Sequence, residues 1–174
     1  MWYAILDAAS CGLEIDNEHA TKLVEIGERI KRAVQTQIVP IHPENPKIRG
    51  VPNFVWTSPP THDTENNVKV ATNSVVVSPG RFDRSPCGTG TCARMAVMHA
   101  RGELEVDEAF HHLSIIGSRF SCSITGTTKV GEYAAILPSV KGRAWITGTK
   151  QVMLDPDDPF PEGFQCGDQW HVST

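Results

Sequence analysis

The sequence predicts an α+β fold on three observations. A long amphipathic helix follows the first strand, a second, short helix is apolar almost all round, and most of the remaining chain falls into short β-rich runs. A helix apolar on every side is buried, and the elements available to cover it here are strands, so helix and sheet share one core. The 174 residues suffice for a single domain of that kind, residues 1–174, and no internal repeat or linker divides them.

The first strand is expected from Trp2 to Leu6, with Asp16 as N-cap of a helix running to about Gln35. Ala20, Leu23, Ile26, Gly27, Ile30, Ala33 and Val34 recur at helical spacing, while Lys22, Glu25, Glu28, Arg29 and Arg32 fall on the other side. Gly27, the smallest residue of the apolar stripe, lets a sheet approach closely. Further strands are expected over 38–41, 54–57, 68–77, 120–125, 133–137 and 144–154, bounded by turn residues and prolines. The apolar helix should run from Thr91 to about Arg101, with Gly102 ending it. The Pro-, Asp- and Gly-rich tail from Asp155 to Thr174 reads as an irregular surface wrap.

Composition narrows the function classes. The net charge is −4, and the only adjacent basic pair, Lys31-Arg32, lies on the amphipathic helix, which argues against a nucleic-acid surface. No apolar stretch reaches the roughly 20 residues that span a bilayer, and the amino terminus lacks the basic region and cleavage site of a signal peptide. Five cysteines at irregular spacings (Cys11, Cys87, Cys92, Cys122, Cys166) suit reduced thiols in a cytoplasm better than a disulfide framework.

One segment stands apart: Asp83-Arg84-Ser85-Pro86-Cys87-Gly88-Thr89-Gly90-Thr91, leading into the apolar helix. Two glycines and small hydroxyl residues expose consecutive backbone N–H groups at a helix start, a seat for a carboxylate. The same field favours a negatively charged sulfur at Cys87. Asp83, four residues upstream, could meet a cationic group on the same ligand. Anion seat, cation partner and a base between them describe an amino-acid site. The same residues also suit a plain tight turn with a buried cysteine, and a phosphate loop is a weaker reading because no Lys follows the glycines. His111-His112 could suggest a metal, but no third ligand has sensible spacing, so a strand-edge or surface role is expected instead.

The run DRSPCGTGT resembles the second catalytic-cysteine motif of the proline racemase family, which includes hydroxyproline epimerases and a dehydratase. YAILDAASCGLEI, the HPE of His42-Pro43-Glu44, GELEVDEAFHHLSIIGSRF and GRAWITGTKQVMLDPDDPFPEGF resemble the same family in the same order. The resemblance implies a diaminopimelate-epimerase-like domain, with an antiparallel barrel-like sheet around the central apolar helix. It implies racemisation or 2-epimerisation of proline or hydroxyproline without cofactor or metal, one thiolate removing the α-proton while a second thiol protonates the opposite face. Cys87 would be one of the two, with the substrate carboxylate on the Gly88 and Thr89 amides and Asp83 near the ring nitrogen. Dehydrating members resemble this motif but carry Thr where Cys87 stands. A non-catalytic remnant binding proline-like ligands is the alternative of another class.

The chain also departs from that pattern. The family's first cysteine lies in a Met-Cys-Gly-His motif of an amino-terminal domain, and this sequence has none; Cys11 sits in Ser-Cys-Gly-Leu. The chain therefore reads as the carboxy-terminal half, a poor racemase alone, pairing with a missing amino-terminal domain or self-associating through the face left bare. Cys92 replaces a usual Ser and reads as a packing substitution, Cys122 and Cys166 read as structural or incidental, and His42 would pack beneath the site.

Overall fold

The computed structural model describes residues 1–164 and divides the chain into two compact units, residues 1–143 and 144–174. The first unit contains β1 (Tyr3–Asp7), a 3₁₀ turn (Ala8–Cys11), α1 (Ala20–Gln37), β2 (Asn53–Thr57), β3 (Thr61–Asp63), β4 (Val68–Val77), β5 (Arg81–Phe82), α2 (Gly88–Ala100), β6 (Phe110–Leu113), β7 (Arg119–Val130) and β8 (Tyr133–Lys141). The eight strands form one sheet in the order β1-β2-β4-β6-β7-β8, with β3 and β5 paired to β4.

The α+β class holds, but the antiparallel, barrel-like sheet needs correcting. β1 runs parallel to β2, and β4 parallel to β6. Parallel neighbours require a long crossover, and α1 lies in the first and α2 in the second. The path is open: α2 touches both end strands, β1 and β8, yet no ladder joins those two strands among the described residues. Nor is α2 buried all round, since its fully buried residues are Gly90, Thr91, Arg94, Met95 and Met98.

β4 is the strand both helices use. Alternate side chains point to opposite faces of a strand, and here Val76 meets α1 at Gly27 while Val75 meets α2 at Gly90. On one face Leu23, Phe54, Trp56 and Val76 form a core with Ala8 and Leu13. On the other, Ala71, Met95, Met98, Leu104, Phe110, Cys122 and Ile124 form a second.

Gly27 performs the close approach its place on the stripe suggests. A Cβ there would lie 3.0 Å from Val76 Cγ2, 3.1 Å from Phe54 Cδ1 and 3.1 Å from Trp56 Nε1. Alanine gains roughly 1 kcal/mol of helix propensity, whereas overpacking a rigid core costs about 1–3 kcal/mol. Gly27→Ala is expected to lose about 1 kcal/mol net, read as a lower urea midpoint; a raised midpoint would mean that the sheet yields.

Several other boundaries differ from expectation. Asp16 is not the N-cap: α1 starts at Ala20 behind His19, and the Asp16 carboxylate instead accepts the His19 amide at 2.8 Å and pairs with its ring at 2.9 Å. The hydrogen bonds from His19 hold Asp16 below the usual carboxylate range. Residues 38–41 give only an isolated bridge, Ile41 to Arg49, because the surrounding prolines remove ladder donors. The expected strand over 144–154 does not form. Its backbone is irregular, and Ile146 and Leu154 are 93% and 76% exposed. In the second unit residues 155–164 make two tight turns, closed by Asp158 N–H on Asp155 O and Gly163 N–H on Phe160 O. The rest of the tail, with Cys166, lies outside the described residues. No helix among the described residues is long and apolar enough to cross a membrane.

Candidate active site

The segment from Asp83 to Thr91 folds as a loop that hands the chain from β5 into α2, and Cys87 is the N-cap residue of that helix. The helix thus begins three residues earlier than its apolar pattern suggests, at Gly88. Gly88 and Thr89 occupy its first two positions, where helix geometry leaves the amides without an intrahelical acceptor, and both residues are exposed. The positive end of the helix dipole adds to them.

Cys87 has φ 61° and ψ 115°, a backbone conformation uncommon for a residue with a Cβ. Such a position costs on the order of 1–3 kcal/mol and persists only where its surroundings over-determine it. Those surroundings are visible. The Cys87 amide donates to Ser85 Oγ at 3.0 Å, and its carbonyl accepts the Thr91 amide at 2.8 Å. Its sulfur accepts the Gly90 amide at 3.4 Å, a contact that turns the thiol back over the helix start. Gly90 is needed there, since a Cβ would lie 3.2 Å from Cys87 Sγ and 3.1 Å from Val75 Cγ2.

Asp83 is partly buried at the start of the loop, its amide on Val75 O at 3.0 Å and its Oδ1 accepting the Ser85 amide at 2.9 Å. Tyr3, which sequence reasoning passed over, completes the group from β1. Its hydroxyl bonds Thr89 Oγ1 and lies 3.7 Å from Cys87 Sγ. Burial pushes the Tyr3 phenol up to about 12; the Thr89 hydrogen bond opposes this, and Cys87 and Asp83 add to it. Asp83, Cys87, Gly88 and Thr89 therefore come together, with Tyr3 over them. Nothing in the strand pattern of residues 3–7 singles out Tyr3; only the register of β1 beside α2 does so.

Below the loop lies a buried polar layer. Asn73 Nδ2 donates to Pro86 O at 3.0 Å, and Thr91 Oγ1 donates to the same carbonyl at 3.2 Å. Thr91 Oγ1 is also 2.9 Å from His112 Nδ1. The expected strand-edge or surface role for the histidine pair is thus corrected for His112. It is fully buried on β6, a strand flanked on both sides by β4 and β7. Burial, with a smaller contribution from Arg94, lowers its imidazole to about 3. His111 alternates to the half-exposed face of the same strand.

The other singled-out residues fall elsewhere. Burial pushes the Cys122 thiol up to about 12 within the core under α2, and raises that of half-buried Cys92, with Cys87 adding to the shift. Both are thereby kept as neutral thiols. Cys11 is exposed at the end of the 3₁₀ turn. His42 does not lie beneath the loop. It lines an apolar hollow of about 450 Å³ with Trp2, Pro43, Val130 and Tyr133, while Glu44 accepts the Gly131 amide at 2.8 Å.

Known proteins resemble this chain over most of its length. The family model described as proline racemase matches residues 1–165. A 4-hydroxyproline 2-epimerase of Streptosporangium roseum is 44% identical over 163 residues, 94% of this chain and 47% of the relative. Among solved structures, a probable proline racemase from Agrobacterium radiobacter K84 with bound carbonate superposes with a TM-score of 0.76 at 37% identity, covering 95% of this chain and 47% of that one. A hydroxyproline epimerase from Agrobacterium vitis with bound trans-4-hydroxy-L-proline gives 0.76 at 36% identity, covering 98% and 47%. The chain spans about half the length of the curated relative it matches. With the family model covering nearly all of it, and Cys87 set at a helix start beside exposed amides, the chain belongs to the proline racemase family.

Proposed function

We propose that this chain is the carboxy-terminal half of a racemase or 2-epimerase acting at the α-carbon of proline or hydroxyproline, with Cys87 as one of two catalytic thiols. The observation that carries the reading is the Cys87 sulfur held on the Gly90 amide beside the exposed Gly88 and Thr89. A substrate carboxylate seated on the Gly88 and Thr89 amides places its α-carbon next to that sulfur. Asp83 then serves the ring nitrogen. Cys87 as thiolate takes the α-proton; the electron pair left on carbon is stabilised through the carboxylate by the same amides and the helix dipole. A proton delivered from the opposite face completes inversion, and a thiol suits both directions because it titrates close enough to neutral to act as base or acid.

The second thiol comes from the other half of the fold, and the reaction uses the protein's own groups without cofactor or metal. Reduced thiols suit a cytoplasmic setting. The bound trans-4-hydroxy-L-proline in the Agrobacterium vitis relative supports an imino-acid substrate. Cysteine at position 87 favours inversion over loss of a ring hydroxyl.

The test is α-proton exchange in D₂O, followed by NMR with L-proline and trans-4-hydroxy-L-proline, for this chain alone and mixed with an amino-terminal half carrying the first cysteine. Exchange without inversion is expected from the chain alone, and inversion from the mixture. Cys87→Ser should abolish both. Exchange that survives Cys87→Ser, or a mixture without any exchange, would overturn the proposal. A pyrroline product detected with an aldehyde reagent would point to dehydration instead.

A further inference from the structure

The buried layer beneath the loop has an arrangement that the proton transfer itself does not require. The carbonyl of Pro86, the residue before Cys87, accepts two side-chain donors, Asn73 Nδ2 from β4 at 3.0 Å and Thr91 Oγ1 from α2 at 3.2 Å. Asn73, Thr91 and His112 are each 0% exposed. Buried polar side chains are costly unless their geometry brings a return. Two atoms of this layer, Asn73 Oδ1 and His112 Nε2, are buried without a hydrogen-bond partner among the described residues.

We propose that Asn73, Thr91 and His112 are positioning residues for Cys87: they clamp the Pro86 carbonyl, and so fix the Pro86–Cys87 peptide that holds the sulfur over the start of α2. A threonine hydroxyl has one proton. If it goes to Pro86 O, Thr91 Oγ1 must accept from His112, so Nδ1 carries the imidazole proton and Nε2 is the bare lone pair. That assignment agrees with the unpartnered Nε2. His112 thus aims the Thr91 proton at Pro86, and Asn73 holds the same oxygen from the sheet. With the peptide plane fixed at its carbonyl, the φ of 61° at Cys87 cannot relax toward ordinary values by turning the plane. The inference rests on the reading of Cys87 as the reacting thiol, but its test does not.

The test is the rate at which iodoacetamide alkylates Cys87 in the native chain, resolved by peptide mass spectrometry, with exposed Cys11 as internal reference. Thr91→Val removes the hydroxyl at nearly constant shape and should change the Cys87 rate about five-fold relative to Cys11, the equivalent of one buried hydrogen bond. Thr91→Ser should restore it. Asn73→Leu is the second probe, because it deletes an unpartnered oxygen together with the useful amide; melting should move little while the Cys87 rate shifts. A layer that only stabilises the fold would change melting and leave the ratio of Cys87 to Cys11 unchanged in folded protein. That result in either variant would overturn the proposal. Alkylation needs no substrate and no second cysteine, so absent α-proton exchange would count against the proposed function and leave this inference to be decided by the rates.

Discussion

Trp56→Ala is expected to lower the unfolding free energy by about 3–5 kcal/mol, a large part of the roughly 5–15 kcal/mol that holds a domain together. The indole is fully buried between α1 and the sheet. It stands edge-on to Phe54 at a centroid distance of 4.8 Å, and its Nε1 donates to Leu23 O at 2.8 Å. It also fills the hollow that Gly27 leaves on the helix, so truncation opens a void lined on both sides. The surroundings are a helix backbone and three strands, which can collapse only a little. Trp56→Phe keeps most of the apolar volume and loses the hydrogen bond, for about 1–2 kcal/mol. Urea unfolding of the three proteins checks this. A Trp56→Ala loss no larger than that of Trp56→Phe would mean that the void closes.

Mild acid is expected to destabilise the protein through His112. The unfolded imidazole takes a proton below about pH 6.5, whereas burial delays protonation in the folded chain to about pH 3. Between those values the unfolded chain holds the extra proton, so stability falls as pH falls through this window. The stabilisation is complete only above the unfolded value. The loss approaches about 2 kcal/mol by pH 5, before most carboxylates titrate. His112→Phe should therefore lose less stability than the parent between pH 7 and pH 5. Equal losses in the two proteins would assign the acid sensitivity to other groups.

How much of this was legible beforehand depended on whether the signal was local. β4 reads directly from its run of Val, Ala and Thr, and matches residue for residue, 68–77. The close packing at Gly27 follows from its place on an amphipathic stripe. The Cys87 loop is legible because helix start, glycines and thiol adjoin in sequence. β6 is not, since Phe-His-His-Leu carries no strand pattern, and its place is fixed by Ala71 and Phe120, partners of His112 some 41 and 8 residues away. The same holds for Tyr3, Asn73 and His112, which meet the loop only through strand order. Parallel pairing was missed for a related reason, because two helical crossovers, not any one segment, decide it. The 144–154 segment shows the converse: a strand-like pattern in the sequence does not by itself make a strand.

The two-sidedness of β4 has a consequence for how this chain can diverge. Because Val75 seats one helix and Val76 the other, a single residue inserted or deleted within 68–77 would exchange the two seats. Asn73 would swing away from Pro86, and the wall of Trp56 would gain a polar group. Side chains along this strand can drift over generations; its length cannot. Indels should accumulate instead in the exposed turn at 64–67, outside the register of β4.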